Sequence, residues 1–93
     1  MQKNKEAFYR DLKKKLKKQH KFPSVYMFKF IVPNDNKLHA QVEALFGSEA
    51  QIAIRESRNG NFVSVTAKKM MLCADKVIER YREAESIEGI ISL

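Results

Sequence analysis

Asn59-Gly60 constrains this chain more than any other pair of residues. It stands inside Ala50 to Ala67, between two runs in which apolar residues alternate with others. A two-residue hairpin loop wants positive φ at both central positions, which Asn tolerates and Gly prefers. With these two as the loop, Arg58 faces Asn61, Ser57 faces Phe62, and each step outward pairs the next two residues. Ile54 then lies opposite Val65, Ile52 opposite Ala67, Arg55 opposite Ser64, and Ala53 opposite Thr66. Strand side chains alternate faces, so Ile52, Ile54, Val63, Val65 and Ala67 fall together on one side.

The hairpin belongs to one small unit, since 93 residues leave no room for two cores and 44% hydrophobic residues is a globular content. Cys73 is the single cysteine, which excludes an intramolecular disulfide and suits a reducing compartment. The first 21 residues are basic and polar, unlike a signal peptide. The longest apolar run, Val25 to Val32, is interrupted by Lys29 and falls far short of the roughly 20 residues of a membrane span. The expected location is the cytoplasm. The formal charge of +7 is unevenly placed: residues 1–21 hold nine bases against two acids, while residues 22–93 balance nine against nine. The sequence thus divides into a basic N-terminal arm, 1–21, and a neutral domain, 22–93. A folded nucleic-acid binder should carry its basic footprint on the domain itself.

In the arm, Phe8, Leu12 and Leu16 recur at helical spacing, ringed by Lys13, Lys14, Lys15, Lys17 and Lys18. A basic amphipathic helix can bind an anionic membrane surface, nucleic acid or an acidic partner. The plainer reading is a solvated helix whose stripe rests on its own domain, or a frayed arm. Phe22-Pro23 ends any helix. Ser24 to Val32, dense in β-branched and aromatic residues, predicts a first strand. Lys29 sets its parity: Val25, Met27, Lys29 and Ile31 face open space, and Tyr26, Phe28, Phe30 and Val32 face the core. Asn34 or Asp35 caps a helix carrying Leu38, Val42, Leu45 and Phe46, which Gly47 stops. After the hairpin, Lys68 or Lys69 begins a helix that buries Met70, Ala74, Val77, Ile78 and Tyr81. Gly89 to Leu93 form a last strand, with Ile91 and Leu93 inward and Ile90 and Ser92 outward.

The element order predicts an α+β, ferredoxin-like βαββαβ sandwich: a four-stranded antiparallel sheet in strand order four, one, three, two, with two helices on one face and an extra N-terminal helix. The other face would hold Val25, Met27, Lys29, Ile31, Arg55, Phe62, Ser64, Thr66 and Ile90. That set is too apolar for a fully wet surface. A second subunit or the arm's apolar stripe could cover it. Val25, Met27, Lys29, Ile31, Phe62, Ser64 and Ile90 are the candidate interface.

Phe22-Pro23, Phe28-Lys29-Phe30 and the hairpin Ser57-Arg58-Asn59-Gly60-Asn61-Phe62-Val63-Ser64-Val65-Thr66 resemble the YbeD family of small bacterial proteins. Gly89-Ile90-Ile91 resembles that family's last strand. The resemblance covers Phe22 to Leu93 and implies a ferredoxin-like fold similar to ACT regulatory domains, with a link to lipoate metabolism. It supplies no site residues. The lysine-rich arm departs from the family pattern.

No catalytic constellation emerges. His20 and His39 are far apart and lack metal-ligand spacing around them. Cys73 reads as a small hydrophobe of a helix, since no neighbour would lower its pKa. Gly47, Gly60 and Gly89 are too scattered to cradle a phosphate. Acylphosphatases share the topology but need a Gly-rich loop with an arginine after strand one, where this chain has Pro33-Asn34-Asp35-Asn36-Lys37. RNA-recognition modules place aromatics on the open face of strands one and three. Phe62 is one such aromatic, whereas strand one offers Met27 and Lys29; only a reversed parity would turn Tyr26 and Phe28 outward. The apolar open face without a catalytic set predicts a non-enzymatic regulatory or binding module without a cofactor, and the family resemblance implies that it is ACT-like. A homodimer is expected, acting through the open sheet face or the sheet edges. Nucleic-acid binding through the arm and that face is the competing expectation.

Overall fold

The computed structural model describes residues 2–93, with side chains from residue 5 onward, so Met1 of the arm lies outside it. The elements are α1 (Gln2–Gln19), β1 (Ser24–Pro33), α2 (Asn36–Phe46), β2 (Gln51–Glu56), β3 (Phe62–Met71), α3 (Ala74–Ala84) and β4 (Ile91–Ser92). The fold is α+β, a βαββαβ unit preceded by a helix. Its antiparallel sheet runs β2-β3-β1-β4, which places β1 in the interior as its apolar composition requires.

The hairpin register is the predicted one. Ile52 pairs with Ala67, Ala53 with Thr66, Ile54 with Val65 and Arg55 with Ser64. The loop itself differs from the two-residue turn expected. The Ser57 carbonyl accepts from the Gly60 N–H at 3.0 Å, and the Ser57 N–H donates to the Phe62 carbonyl at 2.8 Å. Four residues therefore make the turn, and only Gly60 has positive φ, at 76°. The Asn59 side chain stabilises it instead by accepting from the Asn61 N–H at 3.1 Å and the Ser57 hydroxyl at 3.0 Å.

Parity along β1 is also as predicted. Phe28, Phe30 and Val32 are fully buried beside Val63, Val65 and Ala67 of β3. The Phe28 ring meets Phe46 of α2 at 4.9 Å between centroids and Tyr81 of α3 at 5.4 Å. Asp35 is the α2 N-cap, its carboxylate accepting from the Lys37 and Leu38 N–H groups, and Gly47 closes the helix at φ 72°.

Three further expectations are corrected. The chain from Lys68 to Met71 continues β3 rather than opening a helix, because β1 is ten residues long and pairs along it as far as Ser24 with Met71. Met70 consequently points to the open face, 55% exposed, while Met71 is buried. α3 starts only at Ala74, then buries Ala74, Val77, Ile78 and Tyr81 as expected. The last strand has the opposite parity: Ile91 pairs with open-face Ile31, and Ser92 with core-facing Phe30. Ile90 packs against the core, so it leaves the candidate interface.

The arm is the third correction. α1 joins the helix layer against α3, on the side of the sheet opposite the open face. Its buried residues are Tyr9 and Leu16, with Leu12 partly buried, spaced i, i+3 and i+7. Phe8, expected in the stripe, is 62% exposed.

Candidate binding surface

With three helices on one side, the other side of the sheet is bare among the described residues. Two long strands build it. β1 contributes Val25, Met27, Lys29 and Ile31; β3 contributes Phe62, Ser64, Thr66, Lys68 and Met70; β2 adds Ala53 and Arg55, and β4 adds Ile91. Val25 is 57% exposed, Met27 50% and Phe62 45%, so large apolar side chains stand in solvent at both ends. Of the predicted interface residues, Val25, Met27, Lys29, Ile31, Phe62 and Ser64 lie on this face. Lys68, Met70 and Ile91 were missed; carrying the Ser64–Thr66 alternation four residues further would have found the first two.

The face is also electrostatically one-sided. Lys29, Arg55 and Lys68 stand on it, and none of them makes an ion pair among the described residues. Glu56 of β2 pairs with buried Val63 and so falls on the opposite row; its carboxylate accepts from the Asn34 amide and borders the face only at its Phe62 end. The balanced charge of residues 22–93 thus hides an uneven distribution: the strands carry Lys29, Arg55, Lys68 and Lys69 against the single acid Glu56. Two shallow depressions mark the surface. One, of about 390 Å³, lies among Lys29, Arg55, Ser64 and Thr66. Beside it, one of about 170 Å³ is lined by Ile31, Arg55, Glu56, Phe62 and Ser64 among others.

The basic arm is partly used up in docking. Lys13 pairs with Asp75 at 2.8 Å, Lys5 with Glu85 at 2.8 Å, and Glu6 with Arg82 at 3.1 Å. The Arg82 guanidinium lies 4.5 Å from the Tyr9 ring centroid, and the Tyr9 hydroxyl donates to Glu85. The hydrogen bond from Arg82, reinforced by its charge, lowers the Glu6 pKa; the bond from Lys13 does the same for Asp75. Lys14, Lys15, Lys17 and Lys18 remain exposed and outside these pairs. They lie across the sheet from Lys29, so one short ligand cannot touch both.

On the helix side, Phe8, Leu12, Tyr26, Tyr81 and Ser92 border a cleft of about 210 Å³. The Tyr26 and Tyr81 hydroxyls are hydrogen-bonded at 3.0 Å, and burial pushes the Tyr81 pKa well above the usual phenol range. His39 is half-buried on α2, and Cys73 is the N-cap residue of α3 without a side-chain cap bond. Among the described residues, no three His, Cys, Asp or Glu side chains cluster as metal ligands, and no helix is long and apolar enough to cross a membrane.

The fold, the bare face and the hairpin motif now stand together, and a family description, "Protein of unknown function (DUF493)", matches residues 17–93. The chain belongs to the DUF493 family. The match takes in the whole sheet and α2 and α3, and excludes most of α1. No curated protein and no solved structure matches the chain.

Proposed function

We propose that this DUF493 chain is a non-catalytic binding module of the ACT-like kind, whose working surface is the open face of its sheet. The carrying observation is that Val25, Met27, Phe62 and Met70, all about half exposed, share one uncovered face. A second copy finds a place at the sheet edge rather than on this face. β4 pairs with β1 only at Phe30 and Ile31, with one more bond from the Leu93 N–H to the Lys29 carbonyl, so among the described residues no strand pairs with that edge from Ser24 to Phe28. A free edge of this kind can take another strand. Stacking two open faces would instead gather six cations, none of them in an ion pair among the described residues.

The competing reading is nucleic-acid binding through α1, favoured by the exposed Lys14, Lys15, Lys17 and Lys18. A gel-shift series with single-stranded RNA at rising salt separates the two. The full chain is compared with a variant carrying Gln at these four positions. Phosphate contacts weaken steeply with salt. A low-salt shift that the variant loses would favour the arm; no such shift is expected. Sedimentation at micromolar concentration should give the mass of two copies, and a single-chain mass would remove the edge-paired dimer.

A further inference from the structure

Resting on the open-face reading, we infer that the face's partner is a polypeptide segment with carboxylates in its middle and large apolar side chains toward its ends. The pattern follows from the pairing register. Thr66 lies at the centre of the face, directly opposite Lys29; Lys68 follows two residues along β3, and Arg55 faces Ser64 two residues the other way. Lys29 and Lys68 are therefore diagonal neighbours, about 7–8 Å apart at Cα. Lys29 and Arg55 thus flank the Ser64 and Thr66 hydroxyls, with the depression of about 390 Å³ among them and Lys68 the next open-face residue along β3. Met27 and Met70 lie on one side of this centre and Phe62 on the other.

Each property narrows the occupant. Uncompensated cations call for an anion. From Phe62 to Met70 the face runs about 26 Å along the strand, at about 3.3 Å per residue. That is longer than a small metabolite, and both depressions are shallow, whereas small-molecule sites enclose most of their ligand. Single-stranded nucleic acid would want several stacking aromatics, and among the described residues Phe62 is the one aromatic side chain that the paired strands place on this face. Flexible methionines suit the irregular apolar surface of a peptide. An amphipathic helix of about 18 residues spans the same distance.

The test uses the intact chain, nitrogen-15 labelled, and three probes. One is an amphipathic helical peptide of about 18 residues with Glu at its centre and Leu or Phe toward both ends of one face. The second is the same peptide with Gln for Glu, and the third is an oligouridylate. The Glu peptide should shift the amides of Met27, Lys29, Thr66 and Lys68. The Gln peptide should bind about tenfold or more weakly, and Lys29→Glu with Lys68→Glu should cost a similar factor for the Glu peptide while the spectrum stays folded. Equal binding of both peptides on this face would overturn the acidic partner and leave the open-face reading standing. Oligouridylate shifting these amides more strongly than the Glu peptide would overturn it in favour of RNA. No shift on the face with any probe would overturn the open-face reading itself.

Discussion

The Lys69 ammonium donates to the Phe46 carbonyl oxygen at 2.9 Å, tying the middle strand of the hairpin layer to the C-terminus of α2. Lys69 sits on the core-facing row of β3, opposite Tyr26. A lysine there is tolerable because its stem covers apolar surface while its charge meets the negative end of a helix. Lys69→Met should destabilise the protein by about 1 kcal/mol in urea unfolding. Lys68→Met, on the open face one residue away, should stay within about 0.5 kcal/mol. Equal effects would mean that the two lysines do not face opposite ways.

The docking of α1 rests on Tyr9 and Leu16, not on Phe8. Leu16→Ala and Tyr9→Ala should each cost about 2–4 kcal/mol, as large-to-small changes at buried positions do. Phe8→Ala should lie within about 0.5 kcal/mol. Unfolding midpoints of the three variants check the ranking, and a Phe8 variant as damaged as the Leu16 one would contradict this docking.

Acid should loosen the seam between α1 and α3. The Glu6 and Asp75 carboxyls have lower pKa values when folded, through their bonds to Arg82 and Lys13. Their contribution is therefore present above the unfolded pKa of about 4 and is lost as pH falls through the lowered folded values. Both groups are exposed, so added salt should weaken the effect. Carbon-detected titration of the two carboxyls should give values below the usual carboxylate range; ordinary values would remove the two bridges from solution.

Gly89 should be less replaceable than Gly60. Both have positive φ, but a Cβ on Gly60 would meet nothing within 4 Å, whereas one on Gly89 would come within 2.9 Å of Pro33 Cγ. Gly60→Ala should cost about 1–2 kcal/mol from backbone strain alone. Gly89→Ala should cost more, and the difference in thermal or urea midpoints measures the Pro33 contact.

The sequence was most informative where two independent patterns had to agree. The hairpin register follows from the turn and from alternation together, and the parity of β1 follows from one lysine. Lys68-Lys69-Met70-Met71 misled because charged and apolar residues in that order fit a helix start as well as a strand. Only the length of the paired β1 decides between them, which is a non-local fact. The two-residue β4 has no alternation of its own, so pairing sets its parity, and Ile90 turned inward. In α1 the spacing alone favours Phe8, Leu12 and Leu16, because Phe8 and Tyr9 are adjacent and both hydrophobic; the surface of α3 selects Tyr9. The open face was thus largely legible, but its charge asymmetry was not. A neutral total says nothing about which side of a sheet each charge occupies.

Methionine oxidation followed by peptide mass spectrometry tests the bare face most directly, because three methionines report on it. Met27 and Met70 stand half-exposed on the open side, and Met71, next in sequence, is buried toward the helices. Under limiting peroxide, Met27 and Met70 should oxidise readily while Met71 stays protected until the protein unfolds. Protection of Met27 and Met70 to the level of Met71 in the free protein would mean that the face is covered, and would contradict its role as the binding surface.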